Sequence, residues 1–515
     1  MLRDPGARAA LLAVVVAGSL LRALPILAGD FPVNDGGLFT VMTDEIRANA
    51  FALPSVTTYN DASIPFAYPP LALYVAAIVS VLGVETTDVL RLAPLLFTVA
   101  TVPVMYLISR AVFGGWDLAI IAAALFAFTT GSYQWLVMGG GLTRSFGFLM
   151  ALIAIYCAVR MYREGSPWVA IACGGALGAT GLSHPQAAVF GALSVPLLLP
   201  FVATERARGA RRLVLAIVVA ALVVLPWLTI VVVNHGLTPL MSAVGTGGAA
   251  LLGVVSLASS RTSGGYLEVI GIATTLGLVI CCVRRFWLPP AWILVIAIAD
   301  SRAGQPYLSV PAALAIAFLL GDIARMVRRS LVAQPRMRWA RLVPAGLSLV
   351  VVGAAFFDSL ASQSVPGSPL RSLPSETRSA MAWVEAETEP DARFVVLSGR
   401  YWALDAEAEW FPALADRVSL ATVQGSEWVG RYAEQVERAG ELPACVVEDD
   451  LECIREWFAY IGEADYLFLV DTPARELGGV ECCHQLADQL SGIYDTEVVH
   501  REGPVLIVRL TSPSS

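Results

Sequence analysis

The sequence predicts a polytopic α-helical membrane protein with about eleven spans, followed by a small α/β domain outside the membrane. Of its 515 residues, 57% are hydrophobic and only 15% are charged. Many apolar runs approach the roughly 20 residues that cross a bilayer. Charge is unevenly divided, because residues 1–369 hold 23 arginines and 15 acidic residues, whereas residues 370–515 hold 11 and 27.

This change in charge places a domain boundary near residues 366–374. Residues 1–365 form the predicted transmembrane domain, and residues 366–515 form an acidic, water-soluble α/β domain. Helical patterns alternate there with strand patterns at 393–397, 466–470 and 505–509. No basic tract suggests nucleic-acid binding, and the acidic balance of this domain argues against a nucleic-acid partner.

The eleven predicted spans follow the apolar runs in chain order. The first contains Arg22 and has no clear small-residue cleavage site, which indicates an uncleaved signal anchor. The spans lie near residues 9–27, 92–109, 117–135, 146–160, 167–183, 186–203, 213–233, 266–283, 287–300, 306–321 and 342–358.

The segment 67–83 is apolar, but it has only 17 residues and contains Pro69-Pro70 near its start. If it does not cross, 17 of the 23 arginines of the membrane domain fall on one side. The positive-inside rule favours that arrangement. We therefore predict an interfacial helix at 67–83, a first outer loop at 28–91, a cytoplasmic N-terminus and an extracytoplasmic C-terminal domain of a plasma-membrane protein.

The cysteines agree with this orientation. Cys445, Cys453, Cys482 and Cys483 lie in the soluble domain, where one or two disulfides would suit an oxidising compartment. Their pairing stays open at this level.

The first outer loop includes the acidic residues Asp35, Asp44, Glu45 and Asp61, in a membrane domain that has only 15 acidic residues. Carboxylates beside a membrane predict a candidate active site, although a solvated loop is the alternative. Asp35 is the preferred catalytic residue, but Asn34-Asp35-Gly36 is also a good helix-capping sequence. Asp44 and Glu45 are second candidates, and Asp61 is interpreted as solvated.

An amphipathic helix is predicted directly after Asp35. Its apolar residues recur at helical spacing, and they are Leu38, Val41, Met42, Ile46 and Ala50.

Other outer connections carry one polar marker each. Arg144 follows the glycine run 139–141, His184 ends a span, and Arg302 lies in a short loop with Gln305. Arginine suits the phosphate of an anionic lipid carrier, and a facing carboxylate suits proton abstraction from an acceptor hydroxyl. The alternatives are lipid-headgroup anchoring for the arginines, a helix-end role for His184, and an Asp300–Arg302 ion pair.

Three elements resemble the GT-C superfamily of membrane glycosyltransferases. They are Asp35 after the first span, Tyr68-Pro69-Pro70-Leu71, and Thr143-Arg144-Ser145-Phe146. This resemblance covers roughly the first 330 residues and includes protein O-mannosyltransferases and the aminoarabinose transferase for lipid A.

The resemblance implies inverting transfer of a sugar from a polyprenyl-phosphate donor to a glycan, lipid or protein acceptor at the outer face. Asp35 would be the general base, and Arg144 and Arg302 would hold the carrier phosphate. His184, Tyr68 and Gln305 are further binding candidates, and the loop 236–262 would close over a substrate.

Two features depart from the family pattern. Gly36 replaces the usual second acid, so Asp44 or Glu45 would have to substitute for it. The soluble domain also lacks the Trp-Trp-Asp motif of oligosaccharyltransferases. Some relatives use Mg²⁺ or Mn²⁺, for which Asp35 and Asp44 are candidate ligands.

Two other classes of function stay open. One is a transporter or flippase for lipid-linked glycans, and the other is an inactive glycan-assembly subunit with the same fold. Internal repeats or charges deep within spans would favour a transporter. The sequence shows neither, which favours an enzyme.

Overall fold

The computed structural model describes residues 4–246, 269–299, 304–333, 342–365, 368–477, 481–490 and 494–511. Three predictions lie outside these ranges in whole or in part. They are the phosphate-binding role of Arg302, the alternative Asp300–Arg302 ion pair, and residues 247–262 of the predicted closing loop.

The membrane domain is helical, as predicted. Within the described ranges, seven helices are long and apolar enough to cross a bilayer, and the number is eight if two helices bent by 84° make one span. The helices are α1 (Pro5–Ala28), α2 (Gly37–Ala48), α3 (Leu71–Val81), α4 (Thr86–Phe113), α5 (Trp116–Phe128), α6 (Gly141–Glu164), α7 (Pro167–Gly181), α8 (Pro185–Leu197), α9 (Leu199–Val202), α10 (Arg206–His235), α11 (Thr238–Gly245), α12 (Val269–Val283), α13 (Leu288–Ala299), α14 (Gly304–Ala333) and α15 (Val343–Gln363).

Each predicted span coincides with a helix in the described ranges. The span predicted at 117–135 is not one straight helix, because the bend separates α5 from the 3₁₀ turns Thr130–Ser132 and Gln134–Leu136. The helices α7, α12 and α13 have only 15, 15 and 12 residues. The exact number of crossings therefore stays a prediction.

Small residues allow helices of the membrane domain to approach closely. A β-carbon at Gly174 of α7 would lie 2.4 Å from the carbonyl oxygen of Ala216 in α10. One turn later, a β-carbon at Gly178 would lie 2.6 Å from Cβ of Val223. This is the small-residue packing that apolar helices use when lipid offers no hydrophobic drive for their association.

The segment 28–91, which is predicted to be the first outer loop, contains α2, a short hairpin of β1 (Val56–Thr57) and β2 (Ile64–Pro65), and α3. A helix is present as predicted, with Leu38, Met42 and Ile46 on its buried face. The predicted apolar face is too long, because Val41 is only partly buried, and Ala50 is exposed and lies beyond the end of α2. With 11 residues, α3 is about 16 Å long, roughly half of the hydrocarbon core. This length is in keeping with the predicted interfacial helix, whose position at the membrane stays a prediction.

The C-terminal domain is α/β, as predicted. Its sheet has the order β4-β3-β5-β7-β6, with β3 parallel to β4 and β5, and β7 antiparallel to β5 and β6. The elements are α16 (Ser375–Glu387), β3 (Arg393–Leu397), α17 (Ala406–Leu414), β4 (Val418–Ser419), α18 (Tyr432–Glu448), α19 (Leu451–Ile461), β5 (Tyr466–Val470), α20 (Gln485–Leu490), β6 (Asp495–Glu502) and β7 (Val505–Thr511). Every residue of β5 is buried, as expected of a central strand covered on both faces.

Both pairs of soluble-domain cysteines are joined. Cys445–Cys453 links the end of α18 to α19, and Cys482–Cys483 links adjacent residues. The cysteines of the membrane domain, Cys157, Cys173, Cys281 and Cys282, are free.

Candidate active site

Asp35 lies between α1 and α2, and its carboxylate meets the start of α6. Nη2 of Arg144 donates hydrogen bonds to both carboxylate oxygens, at 3.0 Å to Oδ1 and 2.8 Å to Oδ2. The backbone N–H of Gly140 donates to Oδ1 at 3.1 Å. Both side chains are about one-fifth exposed. Two residues predicted from separate loops therefore form one partly shielded ion pair.

The glycine run before Arg144 is required for this approach. A β-carbon at Gly139 would lie 2.1 Å from the carbonyl oxygen of Asp35, and one at Gly140 would lie 2.5 Å from Oδ2 of Asp35. Any side chain at these positions would push the two segments apart. The run therefore serves close packing against the Asp35 loop.

Gly36, which replaces the second acid of the family pattern, is fixed by two constraints. Its φ of +149° is rarely adopted by other residues. A β-carbon there would also lie 2.7 Å from Cζ2 of Trp410 in α17. An aspartate or glutamate at position 36 would be strained and would collide with the soluble domain.

Tyr68 extends the site from Arg144 toward His184. Its hydroxyl is 2.9 Å from Oγ1 of Thr143 and 2.8 Å from Nδ1 of His184. Burial raises the pKa of Tyr68, so the ring stays a neutral phenol that can both donate and accept. Nε2 of His184 is 3.3 Å from Oε1 of Gln186, which completes the chain of contacts.

A cavity of about 860 Å³ lies beside Tyr68 and His184. Its walls are mainly apolar side chains of α7, α8, α10, α11 and α13. The polar lining includes Tyr68, His184, Gln186 and Glu427, and Glu427 belongs to the soluble domain together with its neighbour Trp428. The cavity can therefore hold a long apolar chain with a polar group at one end.

Asp44 and Glu45 are engaged away from Asp35. Asp44 accepts a hydrogen bond from Oγ1 of Thr86 at 2.7 Å and lies 3.0 Å from Nη2 of Arg47. Glu45 accepts from the backbone N–H of Thr58 at 2.6 Å. Nine or ten residues along a helix separate them from Asp35 by about 13 to 15 Å. In the described ranges no hydrogen bond or ion pair joins either acid to Asp35.

Few side chains are available to bind the Mg²⁺ or Mn²⁺ ion for which Asp35 and Asp44 are candidate ligands. Asp35 is paired with Arg144, and Asp44 with Arg47. The described part of the chain contains no group of three or more His, Cys, Asp or Glu residues that could hold a metal ion. The residues present therefore do not fit a metal centre built from Asp35 and Asp44.

Two other predicted residues lie apart from the ion pair. Gln305 is the second residue of α14 and does not line the apolar cavity. Asp61 is exposed at the end of the 3₁₀ turn Tyr59–Asp61, as predicted for a solvated residue.

The soluble domain supplies residues that the sequence did not reveal. Glu409 in α17 is 2% exposed, and its carboxylate accepts backbone hydrogen bonds from Gly36, Gly37 and Leu38 at 2.9, 2.9 and 3.2 Å. Burial and the charge of Asp35 raise the pKa of Glu409 to about 8, while the three amides oppose that rise. More than 370 residues separate Glu409 from these amides, so no local pattern could predict the contact.

The expected lack of charges within spans needs correction. Arg22 in α1 is fully buried, and it donates to the carbonyl oxygens of Gly18 and Ala127 at 3.0 and 2.6 Å. Asp358 in α15 is 2% exposed. Both lie within about two turns of the helix ends that lead to the first outer loop and the soluble domain. Neither lines the apolar cavity.

Comparison with known proteins gives a family match and several structural matches. The sequence profile of the dolichyl-phosphate-mannose-protein mannosyltransferase family matches residues 67–230. A search of curated proteins gives no match. The Archaeoglobus fulgidus oligosaccharyltransferase AglB, solved with an inhibitory peptide and a dolichol-phosphate, is 13% identical with a TM-score of 0.58. That match covers 89% of this chain and 69% of AglB.

Three further structures, of two other proteins, also match. ArnT from Cupriavidus metallidurans is 15% identical with a TM-score of 0.55, and the match covers 98% of each chain. ArnT bound to undecaprenyl phosphate also matches, at 15% identity and a TM-score of 0.51, over 96% of this chain and 97% of ArnT. The mycobacterial arabinofuranosyltransferase AftD is 15% identical with a TM-score of 0.52, over 98% of this chain and 42% of AftD.

The chain has the GT-C fold. The resemblance predicted from the three sequence elements is confirmed. The residues matched by the family profile include Tyr68, Arg144 and His184. Asp35 and Glu409 lie outside that match.

Proposed function

We propose that this GT-C protein is a glycosyltransferase that moves a sugar from a polyprenyl-phosphate donor to an acceptor hydroxyl at the outer face of the plasma membrane. The observation that carries the proposal is the Asp35–Arg144 ion pair, which is connected through Thr143, Tyr68 and His184 to a large apolar cavity. The acceptor is a glycan, a lipid or a protein.

The apolar cavity suits the prenyl chain of the donor. Its apolar walls between transmembrane helices would accept isoprene units. Arg144 is near its polar end, since it follows Thr143, which contacts Tyr68. AglB and ArnT have been solved with dolichol-phosphate and undecaprenyl phosphate, which supports a lipid phosphate as the ligand.

Arg144 would hold the carrier phosphate. Its Nε is buried and has no hydrogen-bond partner among the described residues. A phosphate oxygen would satisfy this donor, and the planar guanidinium can offer parallel N–H groups to it. The phosphate gains negative charge as the sugar leaves, so Arg144 would stabilise the transition state more than the ground state.

Asp35 would be the general base. The acceptor O–H gives its proton to the Asp35 carboxylate while the acceptor oxygen bonds to the anomeric carbon. The bond between that carbon and the phosphate oxygen breaks, and the electron pair leaves with the polyprenyl phosphate. A single displacement from the opposite side of the sugar ring inverts the anomeric configuration.

The test compares purified wild-type protein with Asp35→Asn in liposomes. A panel of polyprenyl-phosphate pentoses and hexoses is supplied with extracted cell-envelope glycans, lipids and peptides, and released polyprenyl phosphate is measured. We expect Asp35→Asn to reduce kcat by about 10²- to 10⁴-fold while binding of undecaprenyl phosphate is retained. Asp61→Asn is the matched control, because Asp61 is an exposed acid of the same loop.

Undiminished transfer by Asp35→Asn would exclude Asp35 as the base. Wild-type protein that transfers no sugar but moves a fluorescent lipid-linked sugar across the bilayer would support the flippase alternative. Wild-type protein that does neither and still binds glycan would support the inactive subunit.

The orientation is proposed from the arginine distribution, with α3 on the outer face. A single cysteine at Val84, which is 39% exposed, should react in whole cells with a membrane-impermeant maleimide. Labelling only after lysis would overturn this topology.

A further inference from the structure

We propose that Glu409 of the soluble domain is a positioning residue, whose carboxylate caps α2 and fixes the backbone that carries Asp35. The proposal rests on the function proposed above, in which Asp35 is the general base. It also has a readout that does not depend on activity.

The first point is the nature of the cap. A helix begins with N–H groups that have no intrahelical partner, and a side chain of the preceding residue usually satisfies one of them. The residue before α2 is Gly36, which has no side chain to do so. Glu409 satisfies three amides instead, and its negative charge also suits the positive end of the helix dipole.

The second point is that α17 holds the chain on both sides of Asp35. Nε1 of Trp410 donates to the carbonyl oxygen of Asn34 at 2.7 Å, directly before Asp35. Glu409 binds the amide of Gly36, directly after it. The soluble domain therefore fixes the backbone of Asp35, while Arg144 of the membrane domain holds its carboxylate.

The third point is that further hydrogen bonds surround the contact between α17 and the Asp35 loop. The hydroxyl of Tyr59 donates to the carbonyl oxygen of Glu409 at 2.6 Å. The backbone N–H of Asn34 donates to the carbonyl oxygen of Arg371 at 2.7 Å, and Arg371 lies in the segment that leads into the soluble domain. The first bond joins α17 to the turn Tyr59–Asp61, and the second joins the Asp35 loop to the segment before α16. The cap therefore lies within a larger set of contacts between the two domains.

Glu409 acts through other residues rather than on the substrate. It is 2% exposed and does not line the apolar cavity. Its loss should therefore leave donor binding intact and misplace the base, which lowers kcat and spares KM.

The cap depends on the protonation of Glu409. The titratable groups that face it are Asp35 in the preceding loop and Tyr59 in the 3₁₀ turn, and Arg144 faces Asp35 from α6. Burial and the charge of Asp35 raise the pKa of Glu409 to about 8. A carboxylate accepts hydrogen bonds on both oxygens, whereas a protonated carboxyl has one O–H that must donate. The cap therefore strengthens as pH rises through this pKa.

The experiment compares Glu409→Gln with the wild type and with Glu407→Gln. Glu407 is a suitable control, because it is also buried on the same helix but lies 3.7 Å from Arg400. The measurements are kcat and KM with whichever polyprenyl-phosphate sugar the wild type turns over, the pH profile of kcat, and amide hydrogen exchange at residues 36–38 in substrate-free protein.

We expect Glu409→Gln to lower kcat at least ten-fold at pH 8.5, to change KM for the donor less than two-fold, and to lose the rise of kcat near pH 8. Exchange at residues 36–38 should speed up at least ten-fold. Glu407→Gln should change neither kcat nor hydrogen exchange at residues 36–38.

Wild-type exchange and a wild-type pH profile in Glu409→Gln would overturn the proposal, whatever the outcome for Asp35→Asn. If Glu409→Gln does not fold, amide hydrogen exchange at residues 36–38 of the wild type tests the cap instead. Amides 36–38 that exchange as fast as unstructured peptides would overturn the cap, and protected amides would support it.

Discussion

Asp35 and Arg144 are 109 residues apart in the sequence, and their side chains meet at 2.8 Å. The contact joins the first outer loop to the start of α6. It unites a carboxylate that can accept a proton with a cation that suits a phosphate. The predictions below separate the contribution of each partner and of the surfaces that hold them.

Arg144→Gln should reduce kcat/KM by about 10²- to 10³-fold, because one positioned donor to a developing charge is lost. Arg144→Lys should recover only part of this, since an ammonium cannot offer a planar fork. Steady-state kinetics with a polyprenyl-phosphate sugar checks both variants. The control Arg160→Gln removes an exposed pair with Glu164 and should have no effect. Full activity in Arg144→Gln would remove Arg144 from the reaction.

Gly140→Ala should abolish most activity while the protein stays folded. Its β-carbon would lie 2.5 Å from Oδ2 of Asp35, so the base must move. Gly175→Ala is the control, because it adds the same methyl group inside a helix with no heavy atom within 4 Å. Activity and Tm in detergent are measured together. Equal activity in the two variants would show that the close approach at Gly140 is not needed.

Asp44→Asn should retain activity within a few-fold of the wild type. Asp44 is hydrogen bonded to Thr86 and paired with Arg47, and its side chain is 41% exposed. The expected cost is about 1 kcal/mol of stability, typical of a single hydrogen bond and an exposed ion pair. A loss of kcat as large as that of Asp35→Asn would return Asp44 to the catalytic candidates.

Ala192→Trp should raise KM for a long-chain donor, because the indole would fill part of the apolar cavity that Ala192 lines. A donor with only two isoprene units should be affected less. Val233→Trp is the control, since Val233 is 76% exposed on α10 and does not line the cavity. Equal KM changes for both chain lengths would contradict the assignment of this cavity to the prenyl chain.

Asp405→Asn should weaken the pH dependence of stability. Burial and the charge of Glu407 raise the pKa of Asp405 to about 7, compared with about 4 in an unfolded chain. A raised acid pKa means that the folded state binds the proton more tightly. The stability contribution of Asp405 therefore falls as pH rises from about 4 to about 7, by about 4 kcal/mol at most, and stays constant above that range.

The difference in Tm between pH 5 and pH 8 measures this effect in the full-length protein. Asparagine keeps a side-chain oxygen for the amide of Ala408, which Asp405 caps at 2.9 Å. The drop in Tm with rising pH should therefore be smaller in Asp405→Asn than in the wild type. An identical drop in both proteins would show that Asp405 is not the titrating group.

The sequence predicts the elements that have their own periodicity. Local sequence patterns were enough to predict three features. They are the apolar face of α2, the buried strand β5 and the helices that correspond to the hydrophobic runs. Asp35 and Arg144 were found because charged residues are rare beside apolar spans. Their shared location at one face was expected from the loop positions, but their direct ion pair was not predicted, since no local rule pairs two residues from separate loops.

The contribution of the soluble domain was not predictable in the same way. Glu409 and Trp410 lie in a short acidic and aromatic segment that looks like ordinary helix packing. Glu409 takes the role of a cap because Gly36 has no side chain. More than 370 residues separate the two in the sequence, and the fold of the whole chain brings them together. Tertiary packing determines such a contact, and no sequence pattern in either segment indicates it.

The cap that joins Glu409 to α2 also orders events during synthesis. Asp35 is translated before the helices α3 to α15, whereas α17 follows only after the last described membrane helix, α15. The loop around Asp35 therefore stays without its cap until α17 has been translated and the soluble domain has folded. A chain that ends before α17 would insert its membrane helices with the Asp35 loop uncapped.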